Sequence, residues 1–123
     1  MMEALAVAIG GAVGSVCRWG IGGALRLVAP ALPLGTFAAN VLAGLLIGLF
    51  SALGAEGSLE PEVKTLLTVG LCGGLSTFST FSNETLGLIE GGNLLGAGVN
   101  VVANVAVCLL AVWLGTRLGA SVA

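Results

Sequence analysis

Residues 91–116 read GGNLLGAGVNVVANVAVCLLAVWLGT, a run in which no side chain is charged. A second run without charges covers residues 34–54. The hydrocarbon core of a bilayer is about 30 Å thick, and about 20 apolar helical residues cross it, so either run is long enough. Of the 123 residues in the chain, 57% are hydrophobic and only 8% are charged. Because a soluble domain carries about 25% charged residues, we predict an integral membrane protein.

Two less regular apolar segments complete the predicted set of spans. The first covers residues 4–28 and is interrupted by Arg18, and the third covers residues 65–88. The connections between the four segments are too short for anything except antiparallel neighbours, so both termini should lie on the same side. We therefore predict one all-α membrane domain over residues 1–123, with four transmembrane helices.

The composition also excludes several classes of function. The chain has no histidine, aspartate or tyrosine, and acid–base or metal chemistry depends mainly on such side chains. Only four residues are basic and the net charge is −2, which provides no electrostatic footprint for nucleic acid. We expect neither an enzyme nor a nucleic-acid-binding protein.

The basic residues give little information about orientation. Lys64 and Arg117 should lie on the side of the termini and Arg26 on the other. Basic loop residues normally fix the cytoplasmic side, and a bias of two to one is weak. Such a chain could insert in both orientations, and it could then form an antiparallel homodimer with a two-fold axis in the membrane plane.

The third span is a poor helix. Gly73 and Gly74 should break it, and the hydroxyl side chains of residues 76–82 offer competing local hydrogen bonds. Irregular backbone at membrane depth is tolerated where it is buried in protein or lines a watery cavity. We predict a broken third helix whose free amides and carbonyls could face an ion, while a kinked packing helix is the alternative.

Phe78 and Phe81 are three residues apart and should project from nearly the same face of a helix. An aromatic ring has a negative face and a positive edge, so ring edges turned towards a pore could receive an anion, whereas ring faces would favour a cation. The spacing does not decide between these possibilities, and simple packing of the two rings is a third.

Polar and small side chains form two stripes of period four. Hydroxyls and carboxamides in hydrocarbon need partners or line a path, so each stripe is either part of a conduit or a link between helices. Arg18 and Glu84 are the deepest ionisable residues, and they could pair or attract ions. The stripes comprise Thr36, Asn40, Gly44 and Gly48 in the second span, and Gly96, Asn100, Asn104 and Cys108 in the fourth.

Three segments resemble those of one known family, the CrcB/Fluc fluoride channels. They are GGAVGSVCR at residues 10–18, GTFAANVLAG at residues 35–44 and GGLSTFSTFSNE at residues 73–84. The last segment is a specific signature, and the resemblance covers essentially the whole chain. The fourth span departs from the family pattern, because Asn100 lies where many relatives carry a tyrosine.

The resemblance implies a passive fluoride channel in the cell (inner) membrane, built as an antiparallel, dual-topology homodimer with two pores. It also implies a structural Na⁺ at the dimer centre, bound by the backbone carbonyls of Gly73 and Ser76 from both chains. Arg18 is predicted to lie in a vestibule. The predicted fluoride pathway comprises Phe78, Phe81, Asn40, Thr36, Thr77, Ser79, Asn100, Asn104 and Glu84.

A small multidrug-type cation/proton antiporter is the alternative, since it also has four helices. Such a transporter needs a deep carboxylate in its first span, where this chain has Arg18 instead.

Overall fold

The structure is a computed structural model that describes residues 2–122, and within that range every regular element is helical. Helices α1, α2 and α6 are each long and apolar enough to cross a membrane. Between α2 and α6 lies a series of shorter pieces. The elements are α1 (Met2–Val28), α2 (Leu34–Ala55), α3 (Pro61–Thr65), a π-helical stretch (Leu66–Cys72), α4 (Gly73–Leu75), α5 (Phe78–Glu90) and α6 (Leu94–Val122).

The three long helices agree closely with the predicted spans. Helix α2 ends one residue beyond the predicted range, and α6 starts three residues later and ends six later than predicted. The late start has a local cause. Gly92 has a positive φ of 84°, and the Asn93 side chain accepts a hydrogen bond of 2.8 Å from the Gly96 amide, which caps α6. The additional residues at the C-terminal end of α6 include Arg117, whose guanidinium lies 5.7 Å from the centre of the Trp113 ring.

The third predicted span is two helical pieces separated by extended backbone. The continuous helical run of residues 61–75, which we call the first half-helix, ends before Ser76, and α5 is the second half-helix. The expected break at Gly73 and Gly74 is wrong in position, because both glycines are helical. Gly74 serves packing instead: a Cβ there would lie 2.6 Å from the carbonyl oxygen of Gly11.

The first half-helix packs along α1 through glycine. A Cβ on Gly10 would contact the backbone at Leu66 and Gly70, and a Cβ on Gly14 would contact the backbone of Leu71 and lie 2.8 Å from the Leu75 amide nitrogen. A later residue of α1 thus contacts a later part of the first half-helix, so the two helices run parallel. Small residues let helix backbones approach closely in a membrane, where no hydrophobic force drives them together.

Helices α2 and α6 form a second parallel pair in the same way. A Cβ on Gly44 would lie 3.1 Å from the carbonyl oxygen of Cys108, and a Cβ on Gly48 would contact the backbone of Val112 and Thr116. The contacts are reciprocal, since Gly115 lies against the backbone of Leu45. The glycines of the predicted stripe in the second span, Gly44 and Gly48, thus serve close packing.

Short connections place the two pairs side by side. Gly35, at the start of α2, lies against Gly22 near the end of α1, where an added Cβ would be 2.6 Å from the Gly22 Cα. Gly54, near the end of α2, lies against the Lys64 side chain at the start of the first half-helix. Ala39, Ala43 and Leu75 form a small buried cluster between α2 and the first half-helix.

Large apolar side chains cover the outside. Trp19 is 74% exposed and Leu95 81% exposed, and exposed leucines and valines recur along α1 and α6. A surface of this kind is an aggregation liability in water, but it is what a helix bundle presents to lipid.

Gly14→Ala is expected to lower the thermal unfolding midpoint of the detergent-solubilised protein. The added methyl would meet backbone atoms of the first half-helix, which cannot move independently, and overpacking of this kind costs about 1–3 kcal/mol. Gly20→Ala in the same helix is the control, since within residues 2–122 its added Cβ would have no atom of another helix within 4 Å and alanine favours helix. Equal midpoints for the two variants would contradict the packing described here.

Candidate functional site

The break between the half-helices consists of two extended residues. Ser76 has φ −82° and ψ 154°, and Thr77 has φ −149° and ψ 121°. The Ser76 amide and hydroxyl both donate to the Cys72 carbonyl, each at 3.0 Å, which closes the first half-helix. Thr77 then caps α5, because its hydroxyl oxygen accepts a bond of 3.2 Å from the Thr80 amide.

Asn40 of α2 binds both backbone groups of Thr77. Its Oδ1 accepts from the Thr77 amide at 2.7 Å, and its Nδ2 donates to the Thr77 carbonyl at 3.3 Å. A backbone group without a partner is costly away from water. A single carboxamide therefore satisfies the residue at which the helical pattern is lost.

From Asn40 a chain of hydrogen bonds crosses to α6. Asn40 Nδ2 donates to Asn104 Oδ1 at 3.1 Å. Asn104 Nδ2 donates to the Oδ1 and the backbone carbonyl of Asn100, at 3.1 Å and 2.9 Å. Asn100 Nδ2 then donates to the hydroxyl of Thr85 in α5 at 2.9 Å. The asparagines of the two predicted stripes thus bind each other as well as the break.

The break also takes the helical donors away from the carbonyl groups of Gly73 and Ser76. In a continuous helix the Gly73 carbonyl would accept from the Thr77 amide, but that amide donates to Asn40. The Ser76 carbonyl would accept from the Thr80 amide, but that amide donates to the Thr77 side chain. Gly73 and Ser76 are both exposed and line the same cavity.

That cavity has a volume of about 700 Å³ and is open on one side. Phe78 and Phe81 lie in its wall, with ring centres 5.5 Å apart and ring planes tilted by 53°. The two rings differ sharply in burial: Phe78 is 79% exposed and Phe81 is 8% exposed. Asn40, Asn104 and Cys108 line the same cavity. We call it the phenylalanine cavity.

A second cavity of about 500 Å³ lies on the other side of Thr77, and we call it the arginine cavity. Arg18, Thr36, Thr80 and Glu84 line it, together with Thr77, which borders both cavities. Arg18 Nε donates to the Gly74 carbonyl at 3.0 Å, so the arginine is also anchored to the end of the first half-helix. Glu84 Oε1 is buried and has no hydrogen-bond partner within residues 2–122.

The structure thus gathers most of the predicted site residues around the break. Two lie apart from the cavity walls just described. Ser79 is exposed, with its hydroxyl 3.3 Å from that of Thr77. Asn100 is buried and reaches Asn104 and Thr85.

The site residues predicted from the sequence do not include two hydroxyl residues that contact the site. Thr80 lines the arginine cavity and accepts a hydrogen bond of 3.0 Å from the Thr77 hydroxyl. Thr85 links α5 to α6. Thr85 follows Phe81 by four residues, a spacing that places both on one face of a helix, and this was the available signal.

Comparison with known proteins gives matches over nearly the whole chain. The family described as CrcB-like protein, Camphor Resistance (CrcB), matches residues 5–116. Relatives named fluoride-specific ion channel FluC, from Shewanella sp. (strain ANA-3) and Shewanella halifaxensis (strain HAW-EB4), are 45% and 44% identical over 119 residues, which cover 96% of each chain. A relative of the same name from Shewanella oneidensis is 45% identical over the same share. The resemblance seen in the three sequence segments is confirmed, and this multi-pass membrane protein belongs to the CrcB family.

Proposed function

We propose that this chain forms a fluoride-selective, passive ion channel that lets fluoride leave the cytoplasm across the cell inner membrane. The observation that carries the proposal is the position of Phe78 and Phe81. Their tilted rings line a cavity directly at a helix break and beside the carboxamides of Asn40 and Asn104. Family membership agrees with it, since the relatives named above are fluoride-specific ion channels.

The chemistry of fluoride fits a passive channel. Hydrogen fluoride is a neutral weak acid that crosses lipid and ionises in a near-neutral cytoplasm, where the anion is trapped. An inside-negative membrane potential drives the anion out through a channel without a pump. Fluoride is small and strongly hydrated, so a selective pore must be narrow and must replace the hydration shell with donors.

In this proposal fluoride passes from the arginine cavity to the phenylalanine cavity around Thr77. Arg18 attracts the anion into the first cavity, and the hydroxyls of Thr36 and Thr77 are donors along the way. The electropositive ring edges of Phe78 and Phe81 receive it in the second cavity. Asn40, Ser79, Asn100, Asn104 and Glu84 complete the pathway. The 3.3 Å bond from Asn40 to the Thr77 carbonyl is the longest that its carboxamide makes, so its N–H is the one that an anion can recruit.

We propose that residues 61–90 are a broken crossing, the third of four in chain order, within a single membrane domain over residues 1–123. The parallel packing of the first half-helix on α1, and of α6 on α2, is what alternating crossings produce. The assembly is an antiparallel homodimer of chains inserted in both orientations. The exposed Phe78 supports a partner on that face, because its ring lies beside the carbonyls of Gly73 and Ser76, to which lipid cannot donate hydrogen bonds.

A structural Na⁺ at the dimer centre is the remaining part of the proposal. The carbonyls of Gly73 and Ser76 fit such an ion, since both have lost their helical donors to side chains and both border the open cavity. Carbonyl oxygens are suitable ligands for a hard cation. Two chains would supply four of them, and the ion would tie the two breaks together.

The multidrug-type antiporter is not supported. The family is one of ion channels by the names of the relatives. The first span carries Arg18, bound to the Gly74 carbonyl, whereas a cation transporter of that type needs a carboxylate in this span.

Phe78→Ile is expected to reduce fluoride efflux from proteoliposomes by about two orders of magnitude while the dimer remains intact. An aliphatic side chain of similar volume preserves packing to within about 1.5 kcal/mol, but it removes the ring edge, and each 1.4 kcal/mol added to a barrier slows passage about tenfold. Phe81→Ile should act in the same direction. A fluoride electrode measures the flux.

Phe50→Ile is the matched control, because Phe50 lies in α2 away from the break. It should conduct normally. Near-normal fluoride flux in both Phe78→Ile and Phe81→Ile would show that the two rings only pack. If the wild-type protein released chloride or a cationic dye instead of fluoride, the channel proposal would be refuted.

Dual topology is tested by labelling single cysteines in a variant that lacks Cys17, Cys72 and Cys108. Ser58 and Leu32 are exposed residues in loops at opposite ends of the bundle. Ser58→Cys and Leu32→Cys should each react with a membrane-impermeant reagent from both sides of the membrane, because half of the chains point each way. If each reacted from one side only, and the two sides differed, a single orientation would be established.

Replacing sodium by a bulky organic cation is expected to weaken the dimer or stop conduction. The four carbonyls would then face each other without a cation, and their repulsion would act across the dimer interface. Size-exclusion chromatography of the detergent-solubilised protein reports dimerisation separately from flux. An unchanged dimer with unchanged flux after exhaustive removal of sodium would show that no bridging ion is required.

A further inference from the structure

The chain of hydrogen bonds that starts at the break ends at the backbone of Phe81. Thr85 makes the last connection: its hydroxyl accepts from Asn100 Nδ2 at 2.9 Å and donates to the Phe81 carbonyl at 2.8 Å. Phe81 is the buried member of the aromatic pair. The residue that carries that ring is therefore connected, through side chains of α6 and α2, to the residue that interrupts the helix.

Two other threonines show what is particular to Thr85. Thr68 and Thr116 also donate to the carbonyl four residues earlier, at 2.7 Å and 2.9 Å. A threonine in a helix commonly makes this local bond. Within residues 2–122, the hydroxyl of Thr85 also accepts from a side chain of another helix, and those of Thr68 and Thr116 do not.

The hydrogen bonds of this series all run in one direction from donor to acceptor. The Thr77 amide donates to Asn40, which donates to Asn104, which donates to Asn100. Asn100 donates to the Thr85 hydroxyl, which donates in turn to Phe81. Each member thus accepts at its oxygen and donates onward, and hydrogen bonds in such a series polarise and strengthen one another.

We propose that Thr85 is a positioning residue for Phe81, acting through Asn100 and Asn104. Its hydroxyl holds the first turns of α5 against α6, so that the Phe81 ring keeps its orientation in the phenylalanine cavity. This inference rests on the proposed function, in which Phe81 lines the fluoride pathway. Asn100 and Asn104 then hold the ring and the break together, in addition to their place in the proposed pathway.

Thr85→Val tests the proposal, because valine has nearly the same shape and lacks the hydroxyl. We expect fluoride flux to fall about threefold to tenfold, as befits the loss of one interhelical hydrogen bond in a membrane protein. Thr85→Ser restores the hydroxyl and should recover most of the flux, which a role in packing the methyl group would not explain. Thr116→Val removes a local bond of the same geometry without an interhelical partner and should conduct normally.

Unfolding midpoints of Thr85→Val, Asn100→Ala and the double variant test the connection without reference to fluoride. If Thr85 and Asn100 act as one unit, the double variant should be hardly less stable than the worse single variant. If the losses of stability in the two single variants added up in the double variant, the proposal would be overturned. Normal fluoride flux in Thr85→Val alongside impaired flux in Phe81→Ile would overturn it as well. If the wild-type chain passed no fluoride, the proposed function would fail, and this comparison alone would decide whether Thr85 holds Phe81 through Asn100.

Discussion

The need to satisfy backbone groups in a membrane determines the arrangement of this molecule. Water is absent from the hydrocarbon core, so a peptide group that leaves a helix needs a partner from the protein. At Thr77 the chain leaves the helical conformation, and Asn40 of α2 binds both its amide and its carbonyl. The break therefore lies where α2 presents a carboxamide. Because the Thr77 amide donates its hydrogen bond to Asn40, the Gly73 carbonyl is left without its helical donor and can bind another group.

The glycine contacts make this arrangement possible. A side chain such as asparagine reaches only a few ångströms, so α2 must lie close to the break for Asn40 to bind Thr77. Buried Ala39 and Ala43 flank Asn40 on α2 and pack against Leu75, the last residue of the first half-helix. On the other side, Gly14 and Gly74 bring α1 into backbone contact with the same half-helix. Close packing on both sides thus holds the break in reach of its partners.

Much of this fold could be predicted from the sequence, and the part that could not has a physical explanation. The absence of charge in residues 34–54 was enough to predict α2 within one residue. Irregularity in the third segment was predicted as well, but its position was assigned to Gly73 and Gly74. Local preference suggested that assignment, whereas the position depends on which residue finds an outside partner, and Asn40 lies 37 positions away in the sequence. The links made by Thr85 were missed for the same reason, because they depend on the alignment of α5 with α6.

Carboxamide side chains connect the break to Phe81. An asparagine side chain accepts at one atom and donates at another, so it can continue a series of hydrogen bonds in one direction. If the amide of Asn104 were rotated by half a turn, its nitrogen would face Asn40 Nδ2 and its oxygen would face the oxygens of Asn100, so both connections would be lost together. The orientation of each amide is thus fixed by its neighbours, and at one end by the Thr77 amide, which can only donate. The series connects the backbone that frees the Gly73 carbonyl to the residue whose ring is proposed to receive the anion.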